Sequence, residues 1–311
     1  MKKLGVMVCT NSAIDYIPHK YNIPIIRSRI LFGDKEYVDF EELTADKFYE
    51  MIEHDPTLFP RTAMASTGEM LSAYEKFRDE GCDEVLFITI SSKMSGIYEN
   101  AMIAKKMAEG VNVTVFDSKT VGYLQVKMAL TASEMAEQGK SLEEILKELE
   151  FIRDHNHIYF AVSDLKFLVK NGRLSNAAGF IADVLKIKPL LEIDKNGAVV
   201  TVEKIRTFSR AVDRVIEKFL EETEGLDVEP FIIHAKNPET LAYMREKVLA
   251  IRPQYKEIKD YLLTPAVGAH CGPKAITIGY VLKDEDPKMI SSDILRGHIV
   301  TISLKLLTEG D

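Results

Sequence analysis

Serine hydroxyls are concentrated directly after the apolar run Val85–Ile90, where Ser91, Ser92 and Ser95 fall within five residues. A helical pattern follows, so these hydroxyls and the free backbone amides of a helix start lie at the carboxyl end of a predicted strand. Such a place attracts anions, because the amides and the helix dipole both favour negative charge. Serine is also the commonest helix cap, and for this segment alone capping without a ligand is the simpler explanation.

A second predicted loop carries the hydroxyl side chains Thr62, Ser66 and Thr67 and precedes another helical pattern. Ser66 or Thr67 can serve as the N-cap of that helix, with Glu69 nearby to complete the cap. Thr62 lies too far upstream for this role, so its hydroxyl group needs another function. By itself this is a weak signal for ligand binding.

Three further polar side chains occupy unusual positions. Arg173 follows a glycine-containing turn between two apolar helical segments, and Arg206 ends a predicted strand. His270 lies between two glycines in a predicted tight loop ahead of an apolar strand, where an entering ligand would meet the imidazole. A plain surface residue is the alternative for His270, and a surface cation is the alternative for Arg206.

Stock catalytic and metal-binding motifs are absent from the sequence. Gly268, Gly272 and Lys274 have the wrong spacing for a phosphate-binding loop, and there is no GxGxxG, GxSxG or HExxH motif. His155 and His157 form an HxH pair without a Cys or third His at ligand spacing, so a solvated helix end is the better interpretation. The sequence therefore predicts neither a metal ion nor a cofactor.

Predicted strands and helices alternate in the first two thirds of the chain, which is typical of stacked βαβ units with a parallel sheet. Short β-branched runs predict strands at Leu4–Cys9, Ile25–Phe32, Val85–Ile90 and Val111–Phe116. Apolar residues at helical spacing predict helices at Thr44–Glu53, Thr67–Glu80, Ser95–Glu109 and Thr120–Gln138. A capping box at Ser141–Glu144 opens one more helix.

The pattern changes near His157, and the second half is predicted to be α+β. Strands are expected at 158–162, 198–205, 231–235 and 276–282, with a hairpin turn at Asp194–Gly197. We predict an α/β protein of two lobes, residues 1–156 around a parallel sheet and residues 157–311, with a ligand tunnel between them. The apolar segment 177–189 is either a core helix or, given its small residues, a wall that leaves room for a long chain.

Composition is that of an ordinary globular protein of 311 residues, with 46% apolar and 28% charged residues. Its 40 basic and 48 acidic residues give a formal charge of −8, and without a Lys/Arg block this argues against nucleic acid as a partner. Three separated cysteines indicate free thiols in a reducing compartment, and no apolar run reaches membrane-spanning length. We therefore expect a cytoplasmic protein.

Segments along the chain together resemble the DegV family, the fatty-acid-binding proteins that serve as the FakB-type subunit of bacterial fatty acid kinase. The resemblance is collinear up to about Lys283 and rests on VMVCTNSAIDYIP, RTAMASTGEM, ITISSKMSGIYEN, VTVFDSKTVG, DLKFLVKNGRLSNAAGF and TPAVGAHCGPKA. This sequence departs from the family pattern at Asn11, Ala63, Ile97, Asn171 and Lys274. Residues 284–311 extend past the family's usual end.

The resemblance implies that a single fatty acid lies in an apolar tunnel between the lobes. It assigns the carboxyl group to Thr62 and Ser95, adds His270 and Arg173 as ligand-binding residues, and makes Arg206 a contact for a partner or the head group. It also implies that the protein is not the catalyst, since a separate kinase subunit phosphorylates the presented carboxyl group. The implied partners are therefore a long-chain fatty acid and a kinase catalytic subunit, with transient membrane contact.

Two other functions stay open at this point. Ser95 as nucleophile and His270 as base would make a serine-dependent acyl hydrolase, although no GxSxG elbow surrounds Ser95 and no acidic partner of the histidine is identifiable. Alternatively, the protein carries another amphiphile or is a regulator whose partner is not a kinase.

Overall fold

The computed structural model describes residues 2–175 and 186–283, which form three β-sheets and their covering helices. In the first half the elements are β1 (Leu4–Cys9), β2 (Ile25–Ile26), β3 (Arg29–Phe32), β4 (Lys35–Val38), α1 (Ala45–His54), β5 (Arg61–Ala63), α2 (Thr67–Asp79), β6 (Glu84–Thr89), α3 (Ile97–Met107), β7 (Asn112–Asp117), α4 (Tyr123–Glu137) and α5 (Leu142–Asp154). In the second half they are β8 (Asn156–Ala161), α6 (Lys166–Lys170), β9 (Leu190–Ile193), β10 (Val199–Glu203), α7 (Phe208–Glu222), β11 (Val228–His234), α8 (Pro238–Ile251), β12 (Lys259–Leu262), α9 (Pro265–Cys271) and β13 (Ile276–Leu282).

The first half is organised around a parallel sheet with strand order β2-β1-β6-β7. β1 and β6 are buried along nearly their whole length, because α3 packs on β6 and β7 while α4 packs on β1 and β6. Capping boxes at Ser66/Glu69 and Ser141/Glu144 begin α2 and α5, as the sequence predicts. The predicted alternation of strand and helix is confirmed.

The prediction of one strand over Ile25–Phe32 is wrong, because the chain changes sheets within it. β2 pairs with β1, whereas β3 pairs with β4 and β5 in a separate three-stranded antiparallel sheet. Between them, Arg27 forms an ion pair with Asp15 at 2.5 Å, and the carbonyl of Ser28 accepts a hydrogen bond from the backbone amide of Asp39. Apolar alternation reports local extension only, while sheet membership depends on residues distant in the chain.

The second half is built on a six-stranded sheet with order β10-β9-β8-β13-β11-β12, antiparallel except for the pair β11–β12. α7 packs on β8, β9 and β13, and α8 packs on α7. The α/β class is thus confirmed, with a parallel sheet in one half and a mixed sheet in the other. The division into domains 1–156 and 157–311 stays a prediction, and most of the apolar segment 177–189 lies outside the described residues.

The turn between β9 and β10 connects the six-stranded sheet to the first half of the molecule. Gly197 in this turn has a φ of +83°, and a Cβ there would lie 2.2 Å from Ser91 Oγ and 2.9 Å from Lys119 Cα, so only glycine fits. Its carbonyl accepts a hydrogen bond from Ser91 Oγ at 2.6 Å. The predicted hairpin turn is confirmed, and it fixes the position of the loop that follows β6.

The interpretation of His155 and His157 as a solvated helix end is wrong for His157, which lies on β8 and is largely buried. Its ring nitrogens contact Glu222 Oε1 at 3.0 Å and Glu192 Oε2 at 3.1 Å. Burial opposes a charge here, but the bonds to Glu192 and Glu222 raise the pKa of His157 to about 9. The two carboxylates come from β9 and α7, so their proximity to His157 is a product of the tertiary fold.

Candidate functional site

A cavity of about 360 Å³ is lined by strand residues of the three-stranded and six-stranded sheets and by residues just beyond the carboxyl ends of β1 and β6 in the parallel sheet. Its wall is mainly apolar and includes Ile90, Val121, Ile158, Phe160, Leu168, Ile193, Val199, Ile233, Leu263 and Val267. A smaller set of polar side chains faces the same space: Asn11, Ser28, Thr62, Ser95, Arg173, His270 and Thr277. The volume falls in the range of roughly 300–1,000 Å³ typical of small-molecule sites, and the mixed lining suits an amphiphile.

Four of the five residues that the sequence marks as site residues, Thr62, Ser95, Arg173 and His270, line this cavity. They come from four separate segments of the chain. The fifth, Arg206, is exposed in the segment between β10 and α7 and does not line the cavity. The structure therefore supports one common site for four residues and separates Arg206 from it.

Thr62 lies on β5 rather than in the predicted loop, and it is paired with Ile30 of β3. β5 spans three residues with little burial, so it has no apolar alternation for sequence analysis to detect. The Oγ1 atom of Thr62 lies 2.9 Å from Nε2 of His270. This hydrogen bond joins the three-stranded sheet to α9 at the cavity.

His270 lies in α9, so the prediction of a tight loop at this position is wrong. Thr264 caps the helix by accepting a hydrogen bond from the amide of Val267, Pro265 is its first residue, and Gly272 ends it with a φ of +76°. Threonine followed by proline is a helix-start signal that could have identified this element from the sequence. The seven-residue helix gives the imidazole a defined direction toward Thr62.

The imidazole of His270 is neutral over the physiological pH range. Burial, aided by the charge of Arg173, lowers its pKa to about 4. Its Nδ1 atom is buried and has no hydrogen-bond partner within residues 2–175 and 186–283. The next residue, Cys271, also lines the cavity, and burial raises the pKa of its thiol to about 12. Both groups therefore remain uncharged.

Arg173 is held by main-chain oxygens from two segments. Its Nε donates to the carbonyl of Met94 at 3.1 Å and its Nη1 to the carbonyl of Asn171 at 2.5 Å. Met94 precedes Ser95, and the side chain of Asn171 donates to the carbonyl of Ala269 in α9 at 3.0 Å. Arg173 thus joins the loop after β6 to the turn after α6, and it is the charged side chain among the described lining residues.

Ser95 lies in the loop between β6 and α3, two residues before the helix start at Ile97. Its Oγ accepts a hydrogen bond from the amide of Ile97 at 3.3 Å. In the part of the chain that the structure describes, no acceptor is bonded to this hydroxyl, so its proton is available to a ligand. The predicted start of the helix at Ser95 is therefore two residues early, and Ser95 belongs to the loop for which the sequence predicts anion binding.

Sequence reasoning missed three polar lining residues, Asn11, Ser28 and Thr277, all almost fully buried. Asn11 follows β1 at the carboxyl end of the parallel sheet, the same position that singled out Ser95, so the strand-end rule could have found it. Ser28 lies between two short strands and has no comparable signal. The Oδ1 atom of Asn11 has no hydrogen-bond partner among the described residues.

Neither a metal cluster nor a membrane helix occurs in the described ranges. No three His, Cys, Asp or Glu side chains between residues 2 and 175 or 186 and 283 are grouped to hold a metal ion. Over the same ranges no helix is long and apolar enough to cross a bilayer.

This chain is similar to known proteins in both sequence and architecture. The profile of the DegV family, described as uncharacterised proteins, matches residues 6–283. A DegV domain-containing protein of Staphylococcus aureus strain N315 is 32% identical over 282 residues, covering 90% of this chain and 97% of the relative. The structure of DegV from Bacillus subtilis, a fatty acid binding protein, has a TM-score of 0.80 and 32% identity, covering 91% of this chain and 100% of that one.

A second solved structure, of a Thermotoga maritima protein reported to reveal a fatty acid binding function, has a TM-score of 0.74 and 27% identity. That likeness covers 91% of this chain and 100% of the Thermotoga chain. Both the family profile and the relatives extend across the two halves of the molecule. The chain therefore belongs to the DegV family.

Proposed function

We propose that the protein binds a long-chain fatty acid in this cavity and presents its carboxyl group to a separate kinase subunit for acyl phosphate formation. The observation that carries the proposal is the meeting of Thr62, Ser95, Arg173 and His270 in one predominantly apolar cavity. The fatty acid binding reported for DegV of Bacillus subtilis and for the Thermotoga maritima protein supports it. The protein then acts by binding, and catalysis belongs to the partner.

Burial of the acyl chain supplies most of the affinity. Each buried methylene contributes about 0.8 kcal/mol, so a sixteen-carbon chain contributes on the order of 10 kcal/mol before the costs of binding. Each neutral hydrogen bond to the head group contributes only about 1 kcal/mol net. The polar residues therefore decide how the ligand is oriented, while the apolar wall decides how tightly it binds.

The neutral imidazole suits a carboxylate ligand. With its proton on Nε2, His270 donates to Thr62 Oγ1, and the Thr62 hydroxyl is then free to donate its own proton to the ligand. Ser95 donates from the other hydroxyl, and the guanidinium of Arg173 offsets the negative charge that a buried carboxylate brings. A carboxyl oxygen held in this way is fixed in one orientation for a phosphoryl donor.

The acyl hydrolase alternative has no comparable support in the geometry. The Nε2 atom of His270 is bonded to Thr62 rather than to Ser95, and no described acidic group is bonded to Nδ1. An imidazole with a pKa of about 4 is also a poor base for activating a serine hydroxyl. We therefore propose a binding role for Ser95 and His270.

Native mass spectrometry of the purified protein, followed by organic extraction, tests the ligand. We expect one fatty acid per chain, and we expect Val199→Phe on the cavity wall to reduce its occupancy sharply. Val200→Phe is the matched control, because the next residue of β10 points to the other face of the sheet and does not line the cavity. A protein that is empty and takes up no added fatty acid would contradict the proposal.

Reconstitution with a fatty acid kinase subunit and ATP tests presentation of the head group. Thr62→Val and Ser95→Ala are expected to retain the acyl chain but to lower acyl phosphate formation about tenfold, the size of one lost hydrogen bond. Thr114→Val on β7, outside the cavity, is the control. Unchanged acyl phosphate formation in both site variants would defeat the presentation role.

Substitution of Arg206 tests the contact with the kinase partner separately from fatty acid binding. Because its side chain is exposed and outside the cavity, Arg206→Glu is expected to weaken kinase coupling and to leave fatty acid affinity unchanged. Lys195→Glu, a charge reversal at another exposed position, is the control. Loss of fatty acid affinity in the Arg206 variant would instead assign this residue to the head group.

A further inference from the structure

Asp39 is a fully buried carboxylate behind the polar part of the cavity. Its Oδ2 atom accepts hydrogen bonds from the hydroxyl of Thr10 at 2.9 Å and from the amide of Ala266 at 3.1 Å. Its own backbone amide donates to the carbonyl of Ser28 at 3.0 Å. One residue thereby connects three segments that are far apart in the chain.

All three segments supply the wall of the cavity. Thr10 is adjacent to Asn11, and Asn11, Ser28 and Ala266 each line it. Ala266 is the second residue of α9, and His270 lies four residues later, one turn along the same face of that helix. The position of the α9 start relative to β3 and β5 therefore determines where the imidazole meets Thr62.

Keeping a carboxylate in this place is unfavourable for stability. Burial raises the pKa of Asp39 to about 7, and its Oδ1 atom has no hydrogen-bond partner within the described ranges. The charged or titratable groups that face it are Arg27, Asp15, Tyr16 and Tyr49. Of these only Arg27 is a cation, and its bidentate partner is Asp15.

We propose that Asp39 is a positioning residue of the ligand site, whose Oδ2 atom holds the start of α9 so that His270 is set opposite Thr62. The inference rests on the proposed binding of a fatty acid carboxyl group at this pair. It makes two predictions, one about the geometry of the free protein and one about affinity. An acceptor at the Oδ2 position is the chemical requirement, and a negative charge is not.

The test is a pair of substitutions at one position. Asp39→Ala removes the acceptor, while Asp39→Asn retains an oxygen that accepts from both Thr10 and Ala266. The titration of His270 is followed by ¹⁵N NMR in the ligand-free protein, and affinity is measured by displacement of a fluorescent fatty acid. Asp55→Ala is the control, since Asp55 also accepts two hydrogen bonds, both from Thr57 at the surface.

We expect Asp39→Ala to move the His270 midpoint from about 4 toward 6.5 and to weaken fatty acid binding about tenfold, the effect of losing about 1.4 kcal/mol. Asp39→Asn is expected to keep both values near those of the unsubstituted protein. A purely structural role predicts a lower melting temperature with an unchanged His270 titration, and that result would overturn the proposal. An Asn variant as impaired as the Ala variant would also overturn it.

A further variant and the ligand-free titration distinguish failure of the Asp39 proposal from failure of the proposed function. If Asp39→Ala does not fold, Thr10→Val removes one of the two bonds to Oδ2 without a change of charge and is expected to shift His270 in the same direction. If the unsubstituted protein binds no fatty acid, the proposed function fails. The ligand-free titration of His270 still decides the role of Asp39 in that case.

Discussion

Two histidines, His270 at the cavity and His157 on β8, show how neighbouring groups decide the charge of a buried imidazole. His270 at the cavity has an arginine nearby and no described acidic partner, and its pKa falls to about 4. His157 on β8 lies between Glu192 and Glu222, and its pKa rises to about 9 although burial opposes the charge. Burial acts in the same direction at both sites, so the opposite outcomes come from the surrounding charges.

This difference in charge matches a structural role for His157 and the binding role proposed for His270. His157 is an ionic bridge between β9 and α7, and a carboxylate ligand would find both acids already in place. His270 is uncharged and has no acidic partner among the described residues, so the proposed anionic head group would meet hydrogen-bond donors and Arg173 without a competing carboxylate there. The HxH pair of His155 and His157 first suggests a metal site or a solvated helix end. The histidine suited to a ligand is instead His270, which is isolated in the sequence.

The largest expected effect follows from removing the structural histidine. His157→Phe leaves Glu192 and Glu222 close together without their shared partner, and we expect it to lower the free energy of unfolding by roughly 3 kcal/mol. Urea unfolding measures this, with His54→Phe at the exposed end of α1 as the control. A loss no larger than that of the control would show that solvent screens the cluster.

The complementary substitution is expected to affect the ligand rather than the fold. His270→Phe removes the bond to Thr62 and should weaken fatty acid binding about tenfold, corresponding to one lost hydrogen bond, with little change in the free energy of unfolding. Displacement of a fluorescent fatty acid and urea unfolding of the same sample measure the two effects. Equal losses of fatty acid affinity in His270→Phe and His157→Phe would contradict the assignment of a ligand role to His270 alone.

The two histidines should also respond to pH in opposite directions. His157 contributes stability that is fully present below pH 6.5 and is lost as the pH rises through about 9, because its pKa is higher in the folded state. His270 acts the other way, since the unfolded chain binds its proton more readily and stability falls from pH 6.5 toward 4. NMR titration is expected to give midpoints near 9 and near 4, and a midpoint near 6.5 for either would contradict its assignment.

The smallest expected effect concerns the backbone that follows α9. Lys274 has a φ of +61°, a left-handed conformation that costs a non-glycine residue about 1 kcal/mol. Lys274→Gly should therefore raise the free energy of unfolding by up to about 1 kcal/mol and leave the His270 titration unchanged. Calorimetry and NMR measure these values, and destabilisation by the glycine would show that the lysine side chain contributes a favourable contact.

Much of the fold was predictable because local patterns carry it. The strands at Leu4–Cys9 and Glu84–Thr89 are rich in apolar residues and almost wholly buried, and the capping boxes at Ser66 and Ser141 mark helix starts with side chains three residues apart. The change of sheet within Ile25–Phe32 was missed, because each strand there is short and its partners lie elsewhere in the chain.

For the candidate site, too, local features were predictable from the sequence and contacts between distant residues were not. Residue type and position in predicted loops and turns singled out Thr62, Ser95, Arg173 and His270, and the resemblance to a family assigned them to one site. The helix around His270 was missed although Thr264 and Pro265 signal it. Nothing local indicates that Asp39 would accept hydrogen bonds from residues 10 and 266.

By itself the sequence determined which side chains are able to bind a carboxylate and which runs must be buried, because hydroxyls, charges and apolar periodicity are properties of nearby residues. The tertiary structure alone decided which of them share a cavity. It placed four of the five predicted residues together, left Arg206 at the surface, and made His270 neutral and His157 positively charged at neutral pH. The physical reason is that burial and electrostatic neighbours are set by residues many positions apart, which meet only in the folded chain.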